Sequence, residues 1–80
     1  MRKEVIMPKV GLDMDEGTIS VWYKQVGESV KEGEPLLSIE TDKTVISVDS
    51  SLTGVLVEII VPEGETVEIT KTIAWIETDD

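Results

Sequence analysis

Eighty residues suffice for one small domain, and at this size only a little over ~60% of the chain's surface is buried on folding, so a large internal active-site cavity is not expected. Seventeen acids against seven bases give a net charge of −10, which repels phosphate backbones and anionic membranes and argues against nucleic-acid and membrane partners and for a monomeric domain. The chain has no Cys and no His, hence no disulfide framework, no thiol nucleophile and none of the usual zinc ligands; any redox chemistry must arrive on a cofactor.

Valine and isoleucine supply 20 residues and threonine is frequent, while alanine occurs once, so strands are favoured over helices. In chain order, strands are predicted near 4–7, 18–24, 29–31, 36–41, 45–49, 54–61, 66–68 and 73–77. Pro8, Gly11, Gly17, Gly27, Gly33, Pro35, Gly54, Pro62 and Gly64 supply the punctuation between them. The expected fold is all-β: a small sandwich or flattened barrel. Nothing approaches the ~20 apolar residues of a membrane span and no signal-peptide pattern opens the chain, so a cytoplasmic-type compartment is expected, or the mitochondrial matrix in a eukaryote. With no linker or low-complexity segment in view, 1–80 reads as a single domain, either a whole small protein or an excised module.

The second half repeats the first. Ile39-Glu40-Thr41-Asp42 recurs 37 positions later as Ile76-Glu77-Thr78-Asp79, and at the same offset Gly17 meets Gly54, Gly27-Glu28 meets Gly64-Glu65 and Val30 meets Val67. Two copies of one supersecondary unit predict a domain with a pseudo-twofold axis. In both halves large apolar residues fall at n and n+3, Ile19 with Trp22 and Leu56 with Ile59, which strict alternation cannot place on one face; a bulge or strong twist in each half would reconcile them. The five repeat-half and turn glycines (17, 27, 33, 54, 64) are assigned to positive φ or close backbone approach, with Thr70 standing opposite Gly33 in the repeat. Trp22 and Trp75, both inside apolar runs, are read as core or partial core.

Only the first tetrad is followed by a lysine, Lys43; the second is followed by Asp80. Leu36 to Thr41 and Thr44 to Asp49 are strand-like runs too close for anything but a tight hairpin, so Lys43 is expected at its tip. Taken alone, an exposed lysine in a turn is a solvated charge, the reading that fits Lys3, Lys9, Lys24, Lys31 and Lys71. A catalytic amine would need its pKa lowered by burial or a neighbouring cation, and Asp42 and Glu40 do the reverse. What a protonated, geometrically fixed lysine can be is the substrate of another enzyme.

Glu40-Thr41-Asp42-Lys43-Thr44, preceded by Gly27-Glu28-Ser29-Val30 and Gly33-Glu34-Pro35-Leu36 and opened by Met7-Pro8-Lys9 with Met14-Asp15-Glu16-Gly17-Thr18-Ile19, resembles a lipoyl domain over nearly the whole chain. The resemblance is closest to the lipoyl domains of dihydrolipoyl acyltransferases of 2-oxo acid dehydrogenase complexes, and extends to those of acetoin dehydrogenase systems. It implies a flattened barrel of two four-stranded sheets, a barrel-sandwich hybrid with internal pseudo-twofold symmetry, and lipoate joined by an amide to Lys43. It also implies a swinging-arm carrier that catalyses nothing itself. The implied partners are a lipoate ligase or lipoyl transferase, a thiamine-dependent decarboxylase or dehydrogenase component, the acyltransferase core and dihydrolipoyl dehydrogenase. Recognition residues carried over are Glu40, Asp42 and Thr44 at the hairpin, and Gly11, Leu12, Asp13, Met14, Asp15 and Glu16 in the loop before the first long strand. Thr44 stands where the family most often has alanine or valine. Two alternatives stay open: a biotinyl carrier, whose lysine would lie between two methionines where this chain has Asp42 and Thr44, and an unmodified barrel of the same fold serving as an adaptor. No catalytic residue and no metal ligand is assigned.

Overall fold

The computed structural model describes residues 1–9, 15–42 and 44–79 of the chain. Eight strands are formed: β1 (Arg2–Ile6), β2 (Glu16–Trp22), β3 (Ser29–Val30), β4 (Pro35–Glu40), β5 (Val45–Asp49), β6 (Gly54–Ile59), β7 (Thr66–Glu68) and β8 (Thr72–Glu77); there is no helix among the described residues. All eight predicted strands are present, with β1 and β2 each beginning two residues earlier than expected and β6 ending at Ile59 rather than 61.

They build two antiparallel four-stranded sheets, in the orders β1-β8-β6-β3 and β5-β4-β2-β7. The 37-residue offset carries β2, β3 and β4 onto β6, β7 and β8, while β1 and β5, outside that offset, take the matching edge places, and the register follows. Thr18↔Glu40, Ile19↔Ile39, Val21↔Ser38 and Trp22↔Leu37 in one sheet map onto Val55↔Glu77, Leu56↔Ile76, Glu58↔Trp75 and Ile59↔Ala74 in the other. Each short strand crosses to the other copy's sheet, β3 onto β6 and β7 onto β2, so the halves interlock.

The n and n+3 conflict is resolved by a bulge in each half. The ladder skips one residue between Ile19 and Val21 and, at the equivalent place, between Leu56 and Glu58. An extra residue on one strand restores Trp22 and Ile59 to the face already occupied by Ile19 and Leu56. Both pairs accordingly point to the core: Ile19 and Leu56 are fully buried, and Trp22 and Ile59 pack against them from the rim. A second matched pair of bulges lies between Pro35 and Leu37 and between Thr72 and Ala74, burying Leu36 and Ile73. The core is thus largely a set of repeat mates, Ile19/Leu56, Leu36/Ile73, Leu37/Ala74 and Ile39/Ile76, joined by Val30 and Met7. At about 1.5–3 kcal/mol for each fully buried aliphatic side chain, this small set is the main stabilising term in a chain without disulfides.

The two tryptophans part company. Trp22 packs on the core and its indole N–H donates to the Val61 carbonyl at 2.9 Å. Trp75 does not join the core. It alternates with buried Ala74 and Ile76 along β8 and is paired laterally with exposed Glu4 and Glu58, which puts it on the outer face of its sheet. An apolar run in sequence does not reveal which of two alternating faces holds its aromatic residue.

Candidate functional site

β4 and β5 pair from Pro35↔Asp49 to Glu40↔Val45, and beyond that last rung Thr41 and Thr44 close the hairpin. The Thr41 N–H donates to the Thr44 carbonyl at 2.8 Å, and the Thr41 hydroxyl donates to the same oxygen at 3.0 Å. The Thr44 N–H in turn donates to the Thr41 hydroxyl oxygen at 3.2 Å. Only Asp42 and Lys43 connect these two threonines. Lys43 lies outside the described residues; Glu40, Asp42 and Thr44 are exposed and Thr41 is half-buried.

The β2 register decides what else stands at this end. Thr18 pairs with Glu40 and Glu16 with Glu68, so β2 begins at Glu16, a strand residue and not the loop residue expected, with Asp15 just before it, beside the end of β4 that leads into the hairpin. Both residues are exposed. Gly11, Leu12, Asp13 and Met14, the remaining loop positions assigned to recognition, lie outside the described residues, but both flanks of that loop are anchored to one corner. Met7 N–H donates to Lys71 O and Thr70 N–H to Met7 O, each at 2.8 Å, and Ile69 N–H donates to Asp15 O at 3.1 Å. The fold therefore assembles Glu40, Asp42, Thr44, Asp15 and Glu16 at one end, in surroundings made more acidic by Glu68.

Among the described residues no three His, Cys, Asp or Glu side chains could hold a metal ion. Two hollows among the described residues lie away from the hairpin: one of about 450 Å³ beside Tyr23, Lys24, Glu34, Pro35 and Ser47, another of about 270 Å³ between β1 and β5. The described part of this end is a strand ladder closed by Thr41 and Thr44 on either side of the Asp42-Lys43 pair, an arrangement suited to offering a side chain to another protein's active site.

Thr41 was missed by sequence reasoning as a contributor of geometry, and the repeat is the signal that could have found it. At the opposite end Thr78 donates to the Met1 carbonyl through its N–H at 2.8 Å and its hydroxyl at 3.0 Å, the same two bonds that Thr41 makes to Thr44. There the Met1 ammonium completes the contact, donating to Thr78 O at 2.6 Å and pairing with Glu77 at 2.7 Å.

Comparison with known proteins agrees with this geometry. The model of the family described as "Biotin-requiring enzyme" matches residues 3–76, and the chain belongs to this biotin- and lipoyl-attachment family. The solution structure of the lipoyl domain of the 2-oxoglutarate dehydrogenase complex from Azotobacter vinelandii is 34% identical, covers 92% of this chain and 94% of that one, and superposes with a TM-score of 0.75. Within the family, the chain is a lipoyl carrier domain. Curated relatives include the dihydrolipoyllysine-residue succinyltransferase component of the 2-oxoglutarate dehydrogenase complex from Staphylococcus saprophyticus, 46% identical over 71 residues and 89% of this chain. Another is the acetyltransferase component of the acetoin cleaving system from Bacillus subtilis, 38% identical over 76 residues and 95% of this chain. The chain spans only 17% and 19% of those proteins' own lengths. A multi-domain long-chain acyl-CoA carboxylase shares the fold alone, with a TM-score of 0.79, 15% identity and coverage of 99% of this chain and 7% of that one.

Proposed function

We propose that lipoate is joined by an amide bond to Nζ of Lys43, and that the domain carries acyl groups and electrons between the active sites of a 2-oxo acid or acetoin dehydrogenase complex without catalysing a step itself. The observation that carries this reading is the hairpin base closed by Thr41 and Thr44: in sequence only Asp42 and Lys43 stand between these two residues, and the repeat's other copy has no lysine.

The residues around the turn fit the group. An amine acylated at neutral pH must first give up its ammonium proton, and the base for that step is supplied by a lipoate ligase or lipoyl transferase and not by this chain. Conversion to an amide removes the charge from Lys43, and the side chain can then enter a narrow channel without the several kcal/mol that desolvating an ammonium costs. When bound, lipoate supplies a dithiolane able to accept an acyl group with two electrons. The domain's part is to hold that group on a tether, so that encounters with the thiamine-dependent decarboxylase, the acyltransferase core and dihydrolipoyl dehydrogenase occur at raised effective concentration. Glu40, Asp42 and Thr44, with Asp15, Glu16 and the 11–14 segment, are the contacts through which those partners distinguish this domain from free lipoamide, since binding energy remote from the reacting centre is used to orient it.

Intact-mass measurement after incubation with a lipoate ligase, lipoate and ATP tests the reading. One lipoyl group per chain is expected on the wild type and on Lys31→Ala, and none on Lys43→Ala. Modification that persists in Lys43→Ala, or biotin added by a biotin ligase to a similar extent, overturns it.

A further inference from the structure

The carrier reading makes Lys43 the modified residue but leaves open what holds the turn that offers it. The geometry points to the Thr41 hydroxyl as the positioning group: we infer that it staples the end of the β4–β5 ladder, so that the lysine is offered from a closed hairpin base, and that lipoylation depends on this staple. The inference rests on the reading of Lys43 as the attachment site.

Three observations carry it. First, this one oxygen serves both backbone groups of Thr44, donating to its carbonyl and accepting from its N–H, so the direction in which the chain leaves the turn is fixed by a side chain and not by the ladder alone. Second, Thr78 makes the same N–H and hydroxyl bonds to Met1, where no turn connects the two residues. The bonds therefore do not result from the covalent closure at 41–44; they belong to the Ile-Glu-Thr-Asp tetrad at the end of its strand. Third, neither the hydroxyl nor its partners lie in the hydrophobic core, so removing it loosens the turn before it loosens the fold.

During modification, Nζ of Lys43 forms the amide bond to the carbonyl of a lipoyl group activated as a mixed anhydride with a nucleotide phosphate. The bond to that phosphate breaks, and the two protons lost from the ammonium pass to the ligase and to water. A ligase that meets a frayed turn must order it on binding, which weakens productive association while leaving the later chemistry unaltered.

The test is steady-state lipoylation of the unmodified domain by a lipoate ligase, followed by intact mass, together with hydrogen exchange at the Thr44 amide. Thr41→Val keeps shape and strand propensity but removes the hydroxyl. It is expected to raise KM for the domain about tenfold with kcat within about twofold, and to speed Thr44 amide exchange at least about tenfold. Thr41→Ser is expected to restore both within about twofold. Thr78→Val, which removes the matching staple at the other end, is expected to leave the modification kinetics unchanged. Should Thr41→Val fail to fold by circular dichroism, Thr41→Ala takes its place. Wild-type kinetics in the hydroxyl-free variant, an equal loss in Thr78→Val, or a loss in kcat with Thr44 protection intact would each overturn the inference and leave the carrier reading standing. A wild type that gains no lipoyl group at Lys43 overturns that reading and this inference together.

Discussion

The turns at 31–34 and 68–71 are copies of one another at the 37-residue offset, and they are built to different standards. In each, the fourth residue's N–H returns to the first residue's carbonyl, from Glu34 to Lys31 at 3.0 Å and from Lys71 to Glu68 at 3.4 Å. In each, the third residue has positive φ, +92° at Gly33 and +71° at Thr70. In the first turn glycine takes that conformation without a Cβ penalty, and the Glu34 carboxylate accepts the Lys31 N–H at 2.8 Å. In the second a β-branched residue is forced into it, and the position of Glu34 is held by Lys71. The strained copy is the one bonded to Met7 on both sides and adjoining the anchor of Asp15. Strain of this kind persists where surrounding bonds over-determine the backbone. Backbone geometry in this fold is therefore set by pairing and bulges shared between the halves, whereas residue chemistry is free to diverge.

The largest test of that shared geometry lies where one half has no room for divergence. A Cβ at Gly54 would come 2.1 Å from the Glu77 carbonyl oxygen, part of the main chain of the neighbouring strand, whereas one at Gly33 would meet nothing within 4 Å. Gly54→Ala is expected to cost about 3 kcal/mol or more, because backbone must shift. Gly33→Ala is expected to cost about 1–2 kcal/mol for its φ alone. Urea unfolding of the two variants measures the difference, and equal losses would mean that close approach at Gly54 is relieved cheaply.

The two tryptophans are expected to differ on a smaller scale. Trp22→Phe leaves the Val61 carbonyl without its indole donor and shrinks a core contact, and is expected to cost about 2 kcal/mol. Trp75→Phe, on an outer face, is expected to change stability by less than about 0.5 kcal/mol. Thermal unfolding monitored by far-UV circular dichroism separates them without relying on tryptophan emission.

Most of this architecture was legible in the sequence because it is written twice. The repeat located the pseudo-twofold axis, the n and n+3 pairs required a bulge in each half, and the hairpin around Lys43 followed from two strand runs with no space between them. Three things were not legible, each for a physical reason. Interlocking, in which β3 and β7 pair across the halves, depends on long-range register that strands of two and three residues cannot encode by themselves. The face of Trp75 depends on which alternate set is buried. The Thr41 staple depends on hydroxyl geometry, since threonine in a strand run reads first as a strand former.

Exchange of residues between the two turns probes the strain directly. Thr70→Gly is expected to stabilise the domain by about 1 kcal/mol, the cost of a non-glycine residue in the left-handed region less the extra entropy that glycine brings to the unfolded chain. Gly33→Thr is expected to destabilise it by about 1–2 kcal/mol. A loss on Thr70→Gly would show that the Thr70 side chain contributes more than its backbone costs, and would favour a role for it at the loop base.

The smallest expected effect concerns the acid in the better-built turn. The Lys31 N–H donating to its carboxylate holds the Glu34 pKa below the ordinary 4.5; partial desolvation opposes this, and the Lys24 ammonium at 3.6 Å assists it. A carboxyl whose pKa is lower folded than unfolded leaves the unfolded chain binding more protons between the two values, so stability rises with pH across that window. Glu34's contribution is thus complete above its unfolded pKa and is lost as pH falls through the lower folded one. Because the group is exposed, the effect is small and screened by salt. The stability gap between wild type and Glu34→Gln, measured by urea unfolding at low salt, is expected to narrow as the solution is taken from about pH 6 to about pH 3. The matching substitution Lys71→Gln removes no carboxylate, and its gap is expected to show no such narrowing. A Glu34 gap that is constant across the range would mean that the lock acts through shape alone, and that the difference between the two turns lies entirely in Gly33 and Thr70.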